Sequence, residues 1–255
     1  MPQGELLMKY ISHLLAALLV FFGTAISSIL VAEEASLIPI STEDYPPYEM
    51  KDSPQGLKGF DYELASEIFS EMGFEPDITF LPWERALRHA KTGTSVGILT
   101  CAYLKQREEF ILYSDAISNY TDGFITLKGF TGPELKSLEA AKGKSVASIK
   151  NYASLQALKD LSIEAVEAPT TEHALKMLQY KRFDYLYVNL EAAMFKAKEL
   201  GITDQLSVTP INQLHFYFCF SKKWPDIEKL AEQFNAILQQ KKANGSYDQI
   251  HRKYH

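Results

Sequence analysis

From residue 36 onward, short apolar segments alternate with amphipathic segments of about helical length. The segment "SVGILT" (95–100) is typical of a buried strand, "TEHALKMLQYK" of a helix, and "FDYLYVN" of the next strand. Helices that alternate with strands cover the faces of a sheet whose strands are mostly parallel. The chain is therefore predicted to adopt an α/β fold, and we see no internal repeat.

Two short links rich in turn-forming residues interrupt this pattern. They are "KGFTGPELKS" (128–137) and "TPINQ" (209–213). The chain is expected to leave one lobe at the first link and to return at the second. Residues 33–127 and 212–255 would then form lobe 1, residues 128–211 lobe 2, and a ligand would lie in the cleft between them.

The N-terminal segment differs from the rest. Lys9 precedes the apolar run "YISHLLAALLVFFGTAISSILVA", which contains no acidic or basic residue besides His13. We interpret residues 1–32 as a secretory signal peptide, cleaved after Ala32 or near Ser27, and expect a mature periplasmic protein. An uncleaved membrane anchor is the alternative, because the run approaches the ~20 residues that a membrane span needs.

Charge and metal-ligand spacing exclude other classes. The net charge is −6 and no dense Lys/Arg block occurs, which argues against nucleic-acid binding. His251 and His255 have an i, i+4 spacing, but we expect solvated side chains there and no metal or cofactor.

Cys101 and Cys219 lie in apolar strand-like segments. Export permits a disulfide, yet nothing in the sequence places the two together, so we expect two buried free thiols.

The segment "GFDYELASEIFSEMG" (59–73) predicts a helix over residues 61–72. Its apolar residues form one stripe at helical spacing, Leu64, Ala65, Ile68, Phe69 and Met72. We expect Asp61 to be the N-cap and Gly73 to end the helix.

This segment also resembles the signature helix of the bacterial extracellular solute-binding proteins of family 3, with Tyr62 as a departure. Further segments resemble the family in order over residues 36–254: "EDYPPYE", "SVGILTCAYLKQREEFILYSDAI", "GKSVASIKNYAS" and "KLAEQFNAILQQKKANGSYDQIHRKY". The resemblance is to a short-chain, divergent branch. It implies a two-lobe periplasmic-binding-protein type II (Venus-flytrap) fold with two hinge crossovers.

The resemblance also implies ligand-binding residues. Arg107 matches the arginine that holds a ligand carboxylate, although it also lies in the charged run "KQREE", which is typical of a surface. Thr100 matches a hydroxyl that helps to hold the same carboxylate, with an ordinary strand-end threonine as the alternative. Tyr45 matches the aromatic residue that packs over the ligand, or else fills a turn beside Pro46 and Pro47. A guanidinium suits a carboxylate because it can bind both oxygens at once.

The other candidate positions match the family pattern only in part. Trp83 and Arg85 in "PWERAL" resemble a Trp-x-Arg element of one short-chain branch, although Trp83 would also suit a packing role at a helix start. Tyr152, with the preceding asparagine, stands where amino-acid-binding members carry Gly-Thr or Gly-Ser. Asn189 stands where they carry the aspartate that binds the ligand ammonium. The resemblance therefore implies a small polar, carboxylate-bearing solute and weakens an ammonium-bearing one.

We expect a monomeric periplasmic binding protein that captures a small polar solute, an amino acid or another carboxylate, for an ABC permease. Closure of the lobes would be a ligand-driven population shift. The first alternative is an enzyme similar to cyclohexadienyl dehydratase, which needs a cleft acid or base. The sequence aligns no acidic residue into the cleft, so we predict no enzymatic activity. The second alternative is a free-standing periplasmic component of a sensor.

Overall fold

The structure is a computed structural model that describes residues 35–53 and 56–254. The signal segment predicted at residues 1–32 and His255 lie outside these residues. None of the helices in the described part is long and apolar enough to cross a membrane. Within the same residues, no group of three or more His, Cys, Asp or Glu side chains is arranged to hold a metal ion.

The described residues form eight strands and seven α-helices. The strands are β1 (Ser36–Thr42), β2 (Phe74–Phe80), β3 (Gly97–Ala102), β4 (Ile111–Leu127), β5 (Val146–Ile149), β6 (Val166–Ala168), β7 (Tyr185–Asn189) and β8 (Leu206–Ser221). The helices are α1 (Phe60–Glu71), α2 (Trp83–Thr92), α3 (Ala153–Asp160), α4 (Thr171–Gln179), α5 (Leu190–Glu199), α6 (Ile227–Asn244) and α7 (Ser246–His251). The predicted α/β class is confirmed.

All strands belong to one mixed sheet in the order β2-β1-β3-β8-β4-β7-β5-β6. The pairs at the two ends of the sheet are parallel, whereas β3/β8, β4/β8 and β4/β7 are antiparallel. The two central strands are long, with 17 residues in β4 and 16 in β8. Residues 209–213, predicted to be a link, lie inside β8. Their pairing with β4 shifts register between Asp122 and Gly123.

Separate hydrophobic cores lie on the two sides of these central strands. One core joins β1, α1 and α6 through Ile40, Phe69 and Phe234. Another joins β5, α4 and α5 through Ile149 and Leu175. We call the part that contains β1–β3, α1, α2 and α6 the first lobe, and the part that contains β5–β7 and α3–α5 the second lobe. Strands β4 and β8 run through both, as a two-lobe fold with two crossovers requires.

Helix α1 begins differently from the prediction. Its N-cap is Gly59, with no side-chain capping bond. Instead the Tyr48 carbonyl accepts from the Asp61 and Tyr62 amides at 3.1 and 3.3 Å, so a backbone group satisfies these free helix-start donors. A Cβ at Gly59 would lie 2.2 Å from the Tyr48 oxygen, which explains the glycine. The N-cap prediction for Asp61 is wrong, whereas Gly73 ends the helix with a φ of +86°.

The two cysteines form a disulfide between β3 and β8. The Cα atoms of Cys101 and Cys219 are 6.1 Å apart, and both side chains are buried. The expectation of free thiols is wrong, because the antiparallel pairing of β3 with β8 joins positions that are 118 residues apart in the sequence.

Candidate functional site

A small cavity of about 40 Å³ lies where several strands end. Its lining includes residues at or just after the carboxyl ends of β1 and β3 in the first lobe and of β5 and β7 in the second. α/β sheets commonly bind ligands at this edge. Its lining consists of Glu43, Tyr45, Glu49, Trp83, Leu99, Thr100, Ala102, Arg107, Tyr120, Asp122, Tyr152, Ala153, Ser154, Asn189 and Phe216.

Arg107 is the one cation among these lining residues. It lies in the short 3₁₀ turn after β3 and is only 5% exposed. Its Nη1 donates to the Ala102 carbonyl and its Nη2 to the Asn151 carbonyl, each at 3.1 Å, and the guanidinium lies 5.2 Å from the centre of the Trp83 ring. No ion pair joins Arg107 to a carboxylate among the residues that the structure describes. Burial lowers the pKa of Arg107 to about 10, which leaves it charged at neutral pH.

The structure brings most of the other predicted residues to the same cavity. Tyr45, Trp83 and Thr100 line it from the first lobe, and Tyr152 and Asn189 line it from the second. The Thr100 hydroxyl donates to the Asp61 carboxyl at 2.8 Å, and its role in holding a ligand carboxylate stays a prediction.

Arg85 is not brought to the cavity. It lies exposed on α2 and is absent from the cavity lining. Trp83, at the start of the same helix, instead points its indole nitrogen at the Asn151 carbonyl, 3.2 Å away. The Trp-x-Arg element is therefore split, because residues two apart on a helix face different directions.

Aromatic rings surround the polar groups of the cavity. The Tyr45 ring stacks on Tyr48 with centroids 5.5 Å apart, and its edges meet Tyr152 at 5.8 Å and Phe216 at 6.1 Å. Tyr120 stacks on Phe216 with centroids 4.0 Å apart. These rings give the cavity flat apolar walls at little cost in side-chain entropy.

The second lobe meets the first through neutral side chains at the cavity and, outside the cavity lining, through an ion pair in which Lys150 Nζ lies 3.5 Å from Glu84. The Tyr152 hydroxyl donates to Glu43 Oε2 at 2.6 Å, and the Asn151 side-chain amide donates to Glu84 at 2.8 Å. Asn189 caps α5 by accepting the Ala192 amide at 2.8 Å, while its own amide donates to the Tyr48 hydroxyl at 3.2 Å. Asn189 is thus a helix cap, and it also lines the cavity.

Three acidic residues line the cavity that the sequence did not place there: Glu43, Glu49 and Asp122. Burial raises the pKa of Glu43 and of Asp122 to about 7. Burial, reinforced by the neighbouring Asp61, also raises the pKa of Glu49 well above its usual range. The sequence aligned no acidic residue into the cleft, whereas the structure places these three on the lining of the cavity. Glu43 and Glu49 lie in the segment "EDYPPYE", whose resemblance to the family's first-strand loop could have indicated them. Asp122 reaches the cavity only because β4 extends over 17 residues.

The comparisons with known proteins agree with this architecture. The family profile described as "Bacterial extracellular solute-binding proteins, family 3" matches residues 37–255. The chain is 24% identical over 246 residues to an arginine-binding periplasmic protein of Mannheimia haemolytica, covering 91% of this chain and 96% of the relative. It is 24% identical over 228 residues to the L-cystine-binding protein TcyA of Bacillus subtilis (strain 168), covering 87% and 82%.

Solved structures show the same fold. An ancestral arginine-binding protein bound to arginine has a TM-score of 0.72 at 21% identity and covers 87% of this chain and 99% of its own. A histidine kinase sensor domain with similarity to periplasmic binding proteins has a TM-score of 0.77 at 22% identity, with 87% and 96% covered. The ancestral amino acid-binding protein AncCDT-1, a precursor of cyclohexadienyl dehydratase, has a TM-score of 0.71 at 21% identity, with 86% and 95% covered.

Proposed function

Because the chain belongs to the bacterial extracellular solute-binding proteins, family 3, we propose that it captures a small polar, carboxylate-bearing solute between its lobes for an ABC-type importer. The observation that carries the proposal is Arg107, a buried guanidinium that lines the cavity and has no carboxylate partner among the described residues. The arginine-binding and cystine-binding relatives support an amino acid or a related compound as the solute.

The unpaired charge of Arg107 favours an anionic ligand. A buried ion costs several kcal/mol of desolvation unless a countercharge compensates it. Two backbone carbonyls, those of Ala102 and Asn151, hold the guanidinium in place without neutralising it. A carboxylate would supply the missing charge and could accept two parallel hydrogen bonds from the planar group.

Entry of the solute requires the lobes to separate. The cavity of about 40 Å³ holds a few waters at most, since one water needs ~10–15 Å³. Contacts from Asn151 to Trp83 and Arg107, and from Tyr152 to Glu43, join the lobes at its edge. These neutral or singly charged bonds would be exchanged for bonds to the solute, which shifts the population of lobe arrangements.

A thermal-shift screen of the purified protein against amino acids, dicarboxylates and small amines tests the proposal. A solute that binds only the native state raises the unfolding midpoint, by ~2.7 kcal/mol of stability at one hundred times its Kd. We expect at least one carboxylate to do so. We expect no turnover of a prephenate-like compound. If the protein converts such a compound and no non-reacting solute raises the unfolding midpoint, the dehydratase alternative is favoured. The cavity carboxyls could then act as proton donors.

Calorimetry on Arg107 variants then tests the anchor. Arg107→Ala should weaken binding of the identified carboxylate by ~2–5 kcal/mol, because the buried ligand charge loses its partner. Arg107→Lys should restore only part of the affinity, since lysine cannot reproduce the two-pronged contact. Arg85→Ala, an exposed arginine outside the cavity, serves as the control. Unchanged affinity in folded Arg107→Ala would show that this residue does not anchor the solute.

A further inference from the structure

The turn between β5 and α3 makes several contacts with the first lobe. We call residues 150–152 the interlobe turn. The Asn151 carbonyl oxygen accepts from Arg107 Nη2 at 3.1 Å and from Trp83 Nε1 at 3.2 Å. The Asn151 side-chain amide donates to Glu84 at 2.8 Å. One residue of the second lobe therefore binds three residues of the first.

The two flanking residues of the interlobe turn also contact the first lobe. Lys150 Nζ lies 3.5 Å from Glu84, and the Tyr152 hydroxyl donates to Glu43 at 2.6 Å. The ion pair contributes little, since both of its side chains are more than half exposed. The bond from Tyr152 to Glu43 joins two residues of the cavity lining. Every residue of the turn is thus bonded across the lobes.

The backbone of Asn151 suits this role. Its φ is +65°, in the left-handed region that asparagine and glycine adopt more readily than other residues. A glycine here would allow the same turn but would have no side chain to reach Glu84. Asn151 therefore supplies both the turn conformation and a second contact with the first lobe.

The Asn151 carbonyl binds a donor that a ligand carboxylate would also use. Arg107 has no carboxylate partner among the residues that the structure describes. The carbonyl oxygen brings a partial negative charge to Nη2 of this guanidinium. The backbone of the second lobe therefore meets part of the demand that would draw a carboxylate to Arg107.

The interlobe turn also separates the cavity from a wider groove. This groove has a volume of about 240 Å³ and is lined in part by Asn151. Arg107 and Tyr152 line both the groove and the cavity. A solute that approaches along the groove reaches the cavity only after the contacts of the turn have broken.

We propose that Asn151 is a latch that keeps the lobes closed in the absence of a solute, with its carbonyl bound to Arg107 as an internal substitute for a carboxylate. Opening of the latch then precedes entry of the solute, and the closed fraction of molecules lowers the apparent affinity. The closure depends on the contacts of the turn alone. The competition for Arg107 rests on the function proposed above.

Asn151→Val tests the latch in the protein without any solute. Valine disfavours a left-handed backbone and has no amide, so the carbonyl should leave Arg107 and the bond to Glu84 is lost. Lys181→Val is the matched control, because Lys181 is exposed, has a φ of +54° and lines neither the cavity nor the groove. Asn151→Gly retains the left-handed conformation and removes only the amide.

Acrylamide quenching and small-angle X-ray scattering measure the opening. The chain has two tryptophans, so Trp224→Phe leaves Trp83, at the lobe interface, as the single fluorescent indole. In Asn151→Val the ratio of closed to open molecules should fall ~10-fold or more, because two charge-assisted hydrogen bonds are lost. We expect the quenching constant of Trp83 to rise ~2-fold or more and the radius of gyration to increase. Asn151→Gly should show a smaller effect in the same direction, and Lys181→Val none.

An unchanged radius of gyration in Asn151→Val would overturn the proposal even if Trp83 became more accessible, because the turn would then have changed only locally. Equal effects in Asn151→Val and Lys181→Val would also overturn it, since they would reflect backbone strain in general. If Asn151→Val does not fold, Asn151→Gly decides in its place, with Lys181→Gly as its control.

Failure of the two proposals can be told apart. The latch is measured without a solute, so its failure leaves carboxylate binding at Arg107 standing. If no carboxylate binds the protein but Asn151→Val opens the lobes, the latch stands and the competition for Arg107 is wrong.

Discussion

The two walls of the cavity differ in their ionisable groups. We call the wall that contains such groups the charged wall and the opposite wall the neutral wall. The first lobe contributes Glu43, Glu49 and Arg107, all with shifted pKa values, and the shared strand β4 contributes Asp122. The wall from the second lobe consists of Tyr152, Ala153, Ser154 and Asn189, none of which is charged at neutral pH.

This difference has a physical reason. Buried ionisable groups are tolerated only where surrounding donors and carbonyls hold them in fixed positions. The first wall has such a frame, in which α1, the β3–β8 disulfide and the threonine hydroxyls meet. The lining residues of the second wall join the first through single hydrogen bonds, from Tyr152 to Glu43 and from Asn189 to Tyr48, so each contact can break and re-form at a cost of ~0.5–3 kcal/mol. We infer that charge recognition lies in the fixed wall and closure in the neutral wall.

The prediction with the largest expected effect concerns the disulfide that supports the charged wall. Replacing Cys101 and Cys219 by serine together should lower the free energy of unfolding by ~4 kcal/mol, because a cross-link across 118 residues restricts the unfolded chain strongly. Urea unfolding measures the loss. Affinity should fall as well, since Thr100 and Ala102 flank the disulfide. Dithiothreitol should destabilise the unaltered protein and leave the double variant unaffected. Equal stability of the two proteins would contradict the role given to the disulfide.

The next test concerns Asp61, a buried carboxyl behind the charged wall that does not line the cavity itself. Burial raises the pKa of Asp61 to about 7, above its unfolded value of ~3.9. The folded state therefore retains a proton that the unfolded state releases, and this stabilisation is complete at low pH and is lost as the pH rises through 7. Between pH 5 and 8, the free energy of unfolding should fall by ~1–3 kcal/mol.

Asp61→Asn should reduce this pH dependence, because an amide does not titrate. Glu43 and Asp122, whose pKa values burial also raises to about 7, retain the rest. Chemical denaturation at several pH values measures both slopes. Glu71→Gln, an exposed glutamate on the same helix, should keep the slope of the unaltered protein. If stability instead rose from pH 5 to pH 8, the carboxyls of the charged wall would not be held neutral.

The smallest effect is expected in the neutral wall. Asn189→Ala should cost ~1 kcal/mol of stability, because α5 loses its cap. Asn189→Asp should retain the cap and add a charge, shifting the ratio of arginine to citrulline affinities toward arginine by ~1–3 kcal/mol. Thermal unfolding and calorimetry measure the two quantities. An unchanged ratio in Asn189→Asp would leave Asn189 with the capping role alone.

The sequence by itself was sufficient for what depends on local pattern. Strand–helix alternation predicted the α/β class, and the apolar stripe of α1 and Gly73 were placed correctly. These features depend on residues within one or two turns or along one strand. The resemblance also placed Arg107, Tyr45, Trp83, Tyr152 and Asn189, all of which line the cavity. Their roles in binding, and the lobe boundaries at residues 127/128 and 211/212, stay predictions.

Only the tertiary structure decided the features that depend on distant partners. Asp61 suits an N-cap by its sequence position, but the Tyr48 carbonyl takes that role and two hydroxyls from β3 and β4 surround the Asp61 carboxyl. Cys101 and Cys219 pair because β3 and β8 are adjacent. The raised pKa values of the cavity acids could not be inferred from local pattern, since the pKa of a carboxyl is set by burial and neighbouring charges. Those neighbours come from segments far apart in the chain, and folding alone brings them together.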